Sequence, residues 1–222
     1  MTVLDNDRLR YQAALDALKR GQPMEALKAL DTLESQTMDD PEYWRLRGVC
    51  VHRSGQTETA ERHLRHAIEL DRFHEASWIT LAGYYEECKR DREALATYRD
   101  ALAVNPESAR INLAMGHFYQ FQAAGIGASS VGIDPQRQLL RGTADDHERT
   151  AVVFLEKAYD QKQHLDTKNQ SWLLGVLSLF YCSHGDMKKA LAFLKEARCV
   201  EPNSHIVALI ESEMRMEHSG TH

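Results

Sequence analysis

The chain has 222 residues, of which 27 % are charged and 43 % hydrophobic. That is long enough to bury a core without disulfides or a structural metal, and too ordinary a mixture for a disordered chain. A formal net charge of −6 argues against a general nucleic-acid binder, which carries a basic field.

The N-terminal residues have neither a basic n-region nor an apolar h-region, so no signal peptide is read there. The most apolar stretch, residues 172–182, is too short to span a bilayer and predicts a buried helix instead. Cys50, Cys88, Cys182 and Cys199 are widely spaced, with no CxxC pair. They fit reduced thiols, and a cytoplasmic protein is expected.

An internal period organises the chain. Residues 41–74 contain Trp44, Gly48, Ala60, Leu64 and Ala67. Residues 75–108 repeat the pattern 34 positions later with Trp78, Ala82, Ala94, Tyr98 and Ala101. One step back, residues 7–40 place Ala14, Ala26 and Leu30 in the same register. One step forward, a helix from residue 109 carries Met115, Gly116 and Tyr119, but its partner comes late, at Ala151, Leu155 and Ala158. A last unit, 171–204, has Leu174, Leu177, Ser178, Tyr181, Ala190, Leu194, Ala197 and Pro202.

Small residues at fixed places let two antiparallel helices, A and B, approach closely. Large apolar residues at helical spacing fill the space beside them. Gly21, Gly55 and Gly185 fall between A and B, where a helix end wants a left-handed residue. Pro106 and Pro202 follow the B helices. One hairpin cannot bury its apolar face alone, so the units are expected to stack.

This pattern resembles the tetratricopeptide repeat family over residues 7–204. Arg47 departs from the usual Leu, Arg72 from the closing Pro, and Arg10 and Asn112 from the large first residue. The resemblance implies an all-α, right-handed solenoid of helix-turn-helix repeats. As one domain it comprises repeats 7–40, 41–74, 75–108, 109–165 and 171–204.

The fourth unit holds an insertion of about 23 residues near 123–145. Its Gly-rich run, 125–135, predicts a turn-forming segment that could act as a lid or docking element; residues 136–141 could add a short helix. No Gly-Lys-Ser/Thr closes the run, so it is not a phosphate loop. Residues 205–217 predict a capping helix with Ile206, Leu209, Ile210 and Met214 on its apolar face. No comparable cap precedes residue 7, which leaves that end open to homodimer formation.

No catalytic constellation emerges, and no cofactor or metal is expected. His63 and His66 stand three apart on one B helix, a spacing that can chelate, but no Cys or carboxylate cluster accompanies them. Cys182 and His184 cannot easily form a nucleophile pair, and Glu86 and Glu87 point in different directions on a helix. GxSxG, HExxH and Walker patterns are missing from the sequence.

In the family the A helices line a concave groove, and the resemblance places Tyr11, Arg45, His52, Arg53, Arg110, His117, Phe121 and Trp172 there. Over all groove positions, five Arg or Lys oppose three Glu, with two His besides. The expected role is a protein–protein interaction scaffold or adaptor, taking an acidic or amphipathic peptide or helix. Two rivals stay open: a dedicated secretion or assembly chaperone with one client, and a helical-repeat RNA binder, which the acidic balance opposes. Tyr11 and Leu15 stand where chaperone-tail clamps of the family use Lys and Asn, so that mode is not expected.

Overall fold

A computed structural model describes residues 3–33, 39–129, 135–202, 204–205 and 207–212, with side chains described for 9–33, 39–125, 143–202, 204–205 and 207–212. Ten α-helices occur among them: α1 (Val3–Lys19), α2 (Pro23–Asp31), α3 (Pro41–Arg53), α4 (Thr57–Leu70), α5 (Glu75–Glu87), α6 (Asp91–Val104), α7 (Ala109–Ser129), α8 (Pro135–Asp160), α9 (Thr167–Ser183) and α10 (Met187–Val200). They pair as five hairpins, α1 with α2 through α9 with α10. The chain divides into two compact units, Met1–Pro106 and Glu107–His222.

Local sequence sets the helix starts. Pro23 and Pro41 occupy the first helical turn, where a missing N–H costs nothing. Asp40, Asp166 and Asp186 cap α3, α9 and α10, each accepting a backbone N–H with its carboxylate. Gly21, Gly55 and Gly185 adopt positive φ between their A and B helices, as the sequence predicts. At the third hairpin Lys89 takes the same conformation, φ 59°.

The small positions serve one purpose in both units. A Cβ on Gly48 would lie 2.7 Å from Leu64 Cγ and 3.3 Å from the Ala60 carbonyl oxygen. One on Gly116 would lie 2.7 Å from Leu155 Cγ and 3.3 Å from the Ala151 carbonyl oxygen. At the corresponding place in the last hairpin, the Ser178 hydroxyl donates to the Ala190 carbonyl at 2.9 Å. Ala26, Ala60, Ala94, Ala151 and Ala190 are fully buried, and Leu30, Leu64, Tyr98, Leu155 and Leu194 fill the core beside them.

Three boundaries differ from expectation. Most of the insertion is helix rather than turn. α7 is 21 residues long against 13 for α5, and α8 is 26 against 14 for α6. At 1.5 Å per residue this lengthens the two helices by about 12 and about 18 Å. Residues 136–141 belong to α8, which Pro135 opens; 130–134 lie outside the described residues. α9 begins at Thr167, four residues before the expected start, because Asp166 caps it. The cap is helical at 205 and 207–212, but Val207 and Ile210 are its buried residues and Leu209 faces out. Ile206 and Met214 lie outside the described side chains.

Candidate functional site

In the first unit the A helices are α1, α3 and α5, and α3 packs directly on α5. Their shared face is tied together by polar contacts that cross from one repeat to the next. Arg53 Nη1 donates to the Leu18 carbonyl at 3.2 Å. Arg45 Nη1 reaches Thr80 Oγ1 at 3.3 Å while its other nitrogens fork onto the Glu42 carboxylate at 2.6 and 2.7 Å. His52 Nε2 donates to the Glu87 carboxylate at 2.7 Å and its ring meets Tyr84 edge-on. All three interrepeat contacts join residues 35 apart, one repeat plus one position.

Tyr11 donates to the Asp40 carboxylate at 2.7 Å. Burial, then that carboxylate, raises its phenol well above the usual range, so it stays a donor. Arg45 has only 18 % of its side chain exposed. The residues expected to present a basic groove in this unit are thus each engaged by a partner within the unit: Tyr11 by Asp40, Arg45 by Glu42 and Thr80, His52 by Glu87 and Arg53 by the Leu18 carbonyl. Sequence reasoning placed them on the correct helices and missed their carboxylate partners.

Glu61 of α4 centres a second network that the sequence did not reveal. Glu61 accepts from Tyr85 Oη at 2.8 Å, Arg65 at 3.1 Å and Arg90 at 2.7 Å. Burial alone would raise its pKa, but these three bonds together outweigh it and hold the carboxyl below its usual range. His63 and His66, both half-buried, flank the Trp44 indole, with centroids 5.1 and 4.7 Å away. Among the described residues no group of three or more His, Cys, Asp or Glu could hold a metal.

The second unit presents a different A-helix face. Arg110 and His117 are exposed on α7, and Phe121 is 57 % exposed. Arg110 forms no ion pair among the described residues. Trp172 of α9 is half-buried, its ring 5.1 Å from that of His117. Between α7, α8 and α9 lies a cavity of about 210 Å³ lined by Gln120, Glu148, Val176, Leu179, Phe180, Cys182 and Ser183. Gln120, Leu179, Cys182 and Ser183 are groove positions by the sequence resemblance. His184 stacks on Phe180 at 4.0 Å and braces that wall.

Trp172, Val176, Leu179, Phe180 and Ser183 form a stripe at helical spacing, a signal that could have found Val176 and Phe180. Glu148 lies beyond the insertion, and no spacing rule connects it to Gln120. All four cysteines are free. Burial pushes the Cys50 thiol up to about 11, which keeps it protonated and inert.

Five hairpins built on one pattern define an all-α helical-repeat protein. Residues 11–75 and 75–118 each match the family described as Tetratricopeptide repeat. Residues 11–118 thus belong to the tetratricopeptide repeat family. In fold it is similar to the thermophilic TPR protein TTC0263 of Thermus thermophilus, at a TM-score of 0.61 and 16 % identity, over 95 % of this chain and 99 % of that one. It is also similar to an IFIT1 monomeric mutant solved with Gppp-AAAA, at 0.60 and 18 %, over 90 % of this chain but 42 % of that one. At such identities the likeness is one of fold. No curated protein matches the sequence.

Tetratricopeptide repeats are in general protein–protein interaction scaffolds rather than enzymes, and this chain carries that scaffold. No helix among the described residues is long and apolar enough to cross a membrane.

Proposed function

We propose that the protein is an adaptor whose second unit binds an amphipathic peptide or helix on the α7–α9 face. One anchor side chain enters the cavity, and the rest of the segment lies along α7 past Phe121, His117 and Arg110. The observation that carries this reading is the cavity itself. It lies among A-helix side chains, and it is below the roughly 300–1,000 Å³ of small-molecule sites, a size suited to one residue. On α7 the exposed Phe121, and Arg110, which forms no ion pair among the described residues, are of the residue types that anchor partners. The first unit offers less, because its Arg and Tyr side chains already have partners.

The test is selection from a displayed library of helical 15-residue peptides, followed by titration of the tightest sequence against Gln120→Trp. This variant fills the cavity from its rim. The expected result is at least a tenfold loss of affinity with an unchanged circular dichroism spectrum. Equal affinity for wild type and the folded variant would remove the cavity from the binding site. The likeness to IFIT1, whose structure holds Gppp-AAAA, motivates a parallel arm with a capped oligoadenylate. Tight, salt-sensitive binding of that probe, competed by no peptide, would replace this reading with RNA recognition.

A further inference from the structure

The lining of the cavity between α7, α8 and α9 is of two kinds. Val176, Leu179 and Phe180 of α9 are apolar. Gln120 of α7, Glu148 of α8 and Ser183 of α9 are polar. Ser183 donates to the Phe180 carbonyl at 2.9 Å and its oxygen lies 3.2 Å from His184 Nδ1, so it has only acceptor capacity to offer the cavity. Glu148 is half-buried and forms no ion pair or hydrogen bond among the described residues. Among the described residues no Lys or Arg lines the cavity.

This lining discriminates among anchors. A Leu or Phe would cover Glu148 without neutralising it, which leaves a charge desolvated and unpaired. An Asp or Glu would be repelled. Lys and Arg alone combine an apolar stem, which packs along such walls, with a cationic end. Of the two, Arg has the planar fork that can meet the Glu148 carboxylate and the Gln120 carbonyl together, and it stacks on an aromatic wall such as Phe180.

We infer that the cavity takes an arginine side chain of the partner, with its guanidinium on Glu148 and its methylene stem against Val176, Leu179 and Phe180. The assignment rests on the peptide-binding reading and makes it more specific. It also revises the sequence expectation of an acidic ligand: at its anchor the bound segment is cationic.

The test titrates N-acetyl-arginine amide, N-acetyl-lysine amide, N-acetyl-leucine amide and N-acetyl-glutamate amide against the full chain labelled with nitrogen-15. The arginine probe is expected to shift the amide signals of residues 120, 148 and 179–183 saturably, ahead of lysine and well ahead of leucine. Glu148→Gln should weaken the arginine probe roughly fivefold, and high salt should weaken it in wild type. Glu148→Lys should invert the preference toward the glutamate probe, which a merely structural role for Glu148 would not produce. Leucine binding as tightly as arginine, or Glu148→Gln binding the arginine probe as wild type does, would overturn the cationic anchor while leaving the peptide reading intact. Selected peptides that bind wild type and Gln120→Trp equally would instead overturn the peptide reading at this cavity. Failure of all four probes to move residues 120, 148 and 179–183 would sink the assignment as well.

Discussion

The same repeat produces two unlike A-helix faces. In the first unit α3 lies against α5, and Arg45, His52 and Arg53 spend their polar groups on Thr80, Glu87 and the Leu18 carbonyl. In the second unit it is α8, more than α7, that approaches α9, and a cavity remains between the three. The A–B clamp within each hairpin is the same in both, down to the alanine carbonyl that faces the small residue. The repeat pattern thus dictates how a hairpin closes, whereas the side chains between hairpins decide whether a face is sealed or open.

The largest predicted effect tests the shared part. Leu64→Ala and Leu155→Ala should each destabilise by about 3–4 kcal/mol, one in each unit, by denaturant unfolding. Gly48→Ala alone should cost about 1–2 kcal/mol, because its methyl would meet Leu64 Cγ. In the Leu64→Ala background the same methyl fills vacated space, so its cost should vanish. A double-mutant cycle without at least about 1 kcal/mol of coupling would show that the close approach is not what fixes the glycine.

A second prediction concerns the Glu61 network that pins α4 to Tyr85 and Arg90. Glu61→Gln should cost about 1–2 kcal/mol at neutral pH, since it replaces charge-assisted hydrogen bonds. The folded pKa of Glu61 is depressed. Its contribution is therefore complete above the unfolded carboxylate value, near 4.3, and is lost as pH falls through the lower folded value. Thermal melts of wild type and Glu61→Gln should converge below about pH 4. A gap that stays constant as pH falls well below about 4 would contradict the assignment.

Smaller, but aimed directly at the contrast between the faces, is a pair of like substitutions. Arg45→Met removes a half-buried bidentate ion pair and a contact across repeats, and should cost about 1 kcal/mol. Arg110→Met touches an exposed side chain and should stay within about 0.5 kcal/mol. Equal costs would erase the distinction between a sealed and an open face. The charge reversal Arg45→Glu would set a second carboxylate beside Glu42, so its effect on binding could not be separated from its effect on folding.

How far the sequence reached follows from what each signal encodes. Ala60, Gly48 and Leu64 recur at a fixed period because a hairpin tolerates no other volumes, so the repeat fold was readable without coordinates. Tyr11, Arg45, Phe121 and Trp172 were placed on the A helices by the same period. Whether each is free or paired was not readable. Glu42 stands three residues from Arg45 and Glu87 thirty-five from His52, spacings that permit a bond without requiring one, and Asp40 stands 29 from Tyr11, which matches no repeat or helix period. The insertion misled because Gly125 and Gly127 read as turn formers. In the structure both sit inside α7, which shows that glycine near the end of a helix lowers its stability without stopping it. Glu148 escaped for a related reason: the lengthened helices separate it in sequence from the residues it joins in space.

The last predicted effect is a gain, and it lies where, among the described residues, a hairpin departs from the repeat's own turn chemistry. Between A and B helices the chain turns through a left-handed residue, glycine at 21, 55 and 185 but Lys89 in the third hairpin, at φ 59°. A side chain there crowds the following carbonyl, which costs an L-residue about 1–2 kcal/mol, whereas glycine adopts the conformation freely. Part of that relief is offset by the greater unfolded-state freedom of glycine. Lys89→Gly should therefore raise stability by about 0.5–1 kcal/mol. A loss instead would mean that the Lys89 side chain contributes more through its contacts than its backbone costs. In that case the third hairpin would be held by a side chain where the first, second and fifth rely on the conformational freedom of glycine.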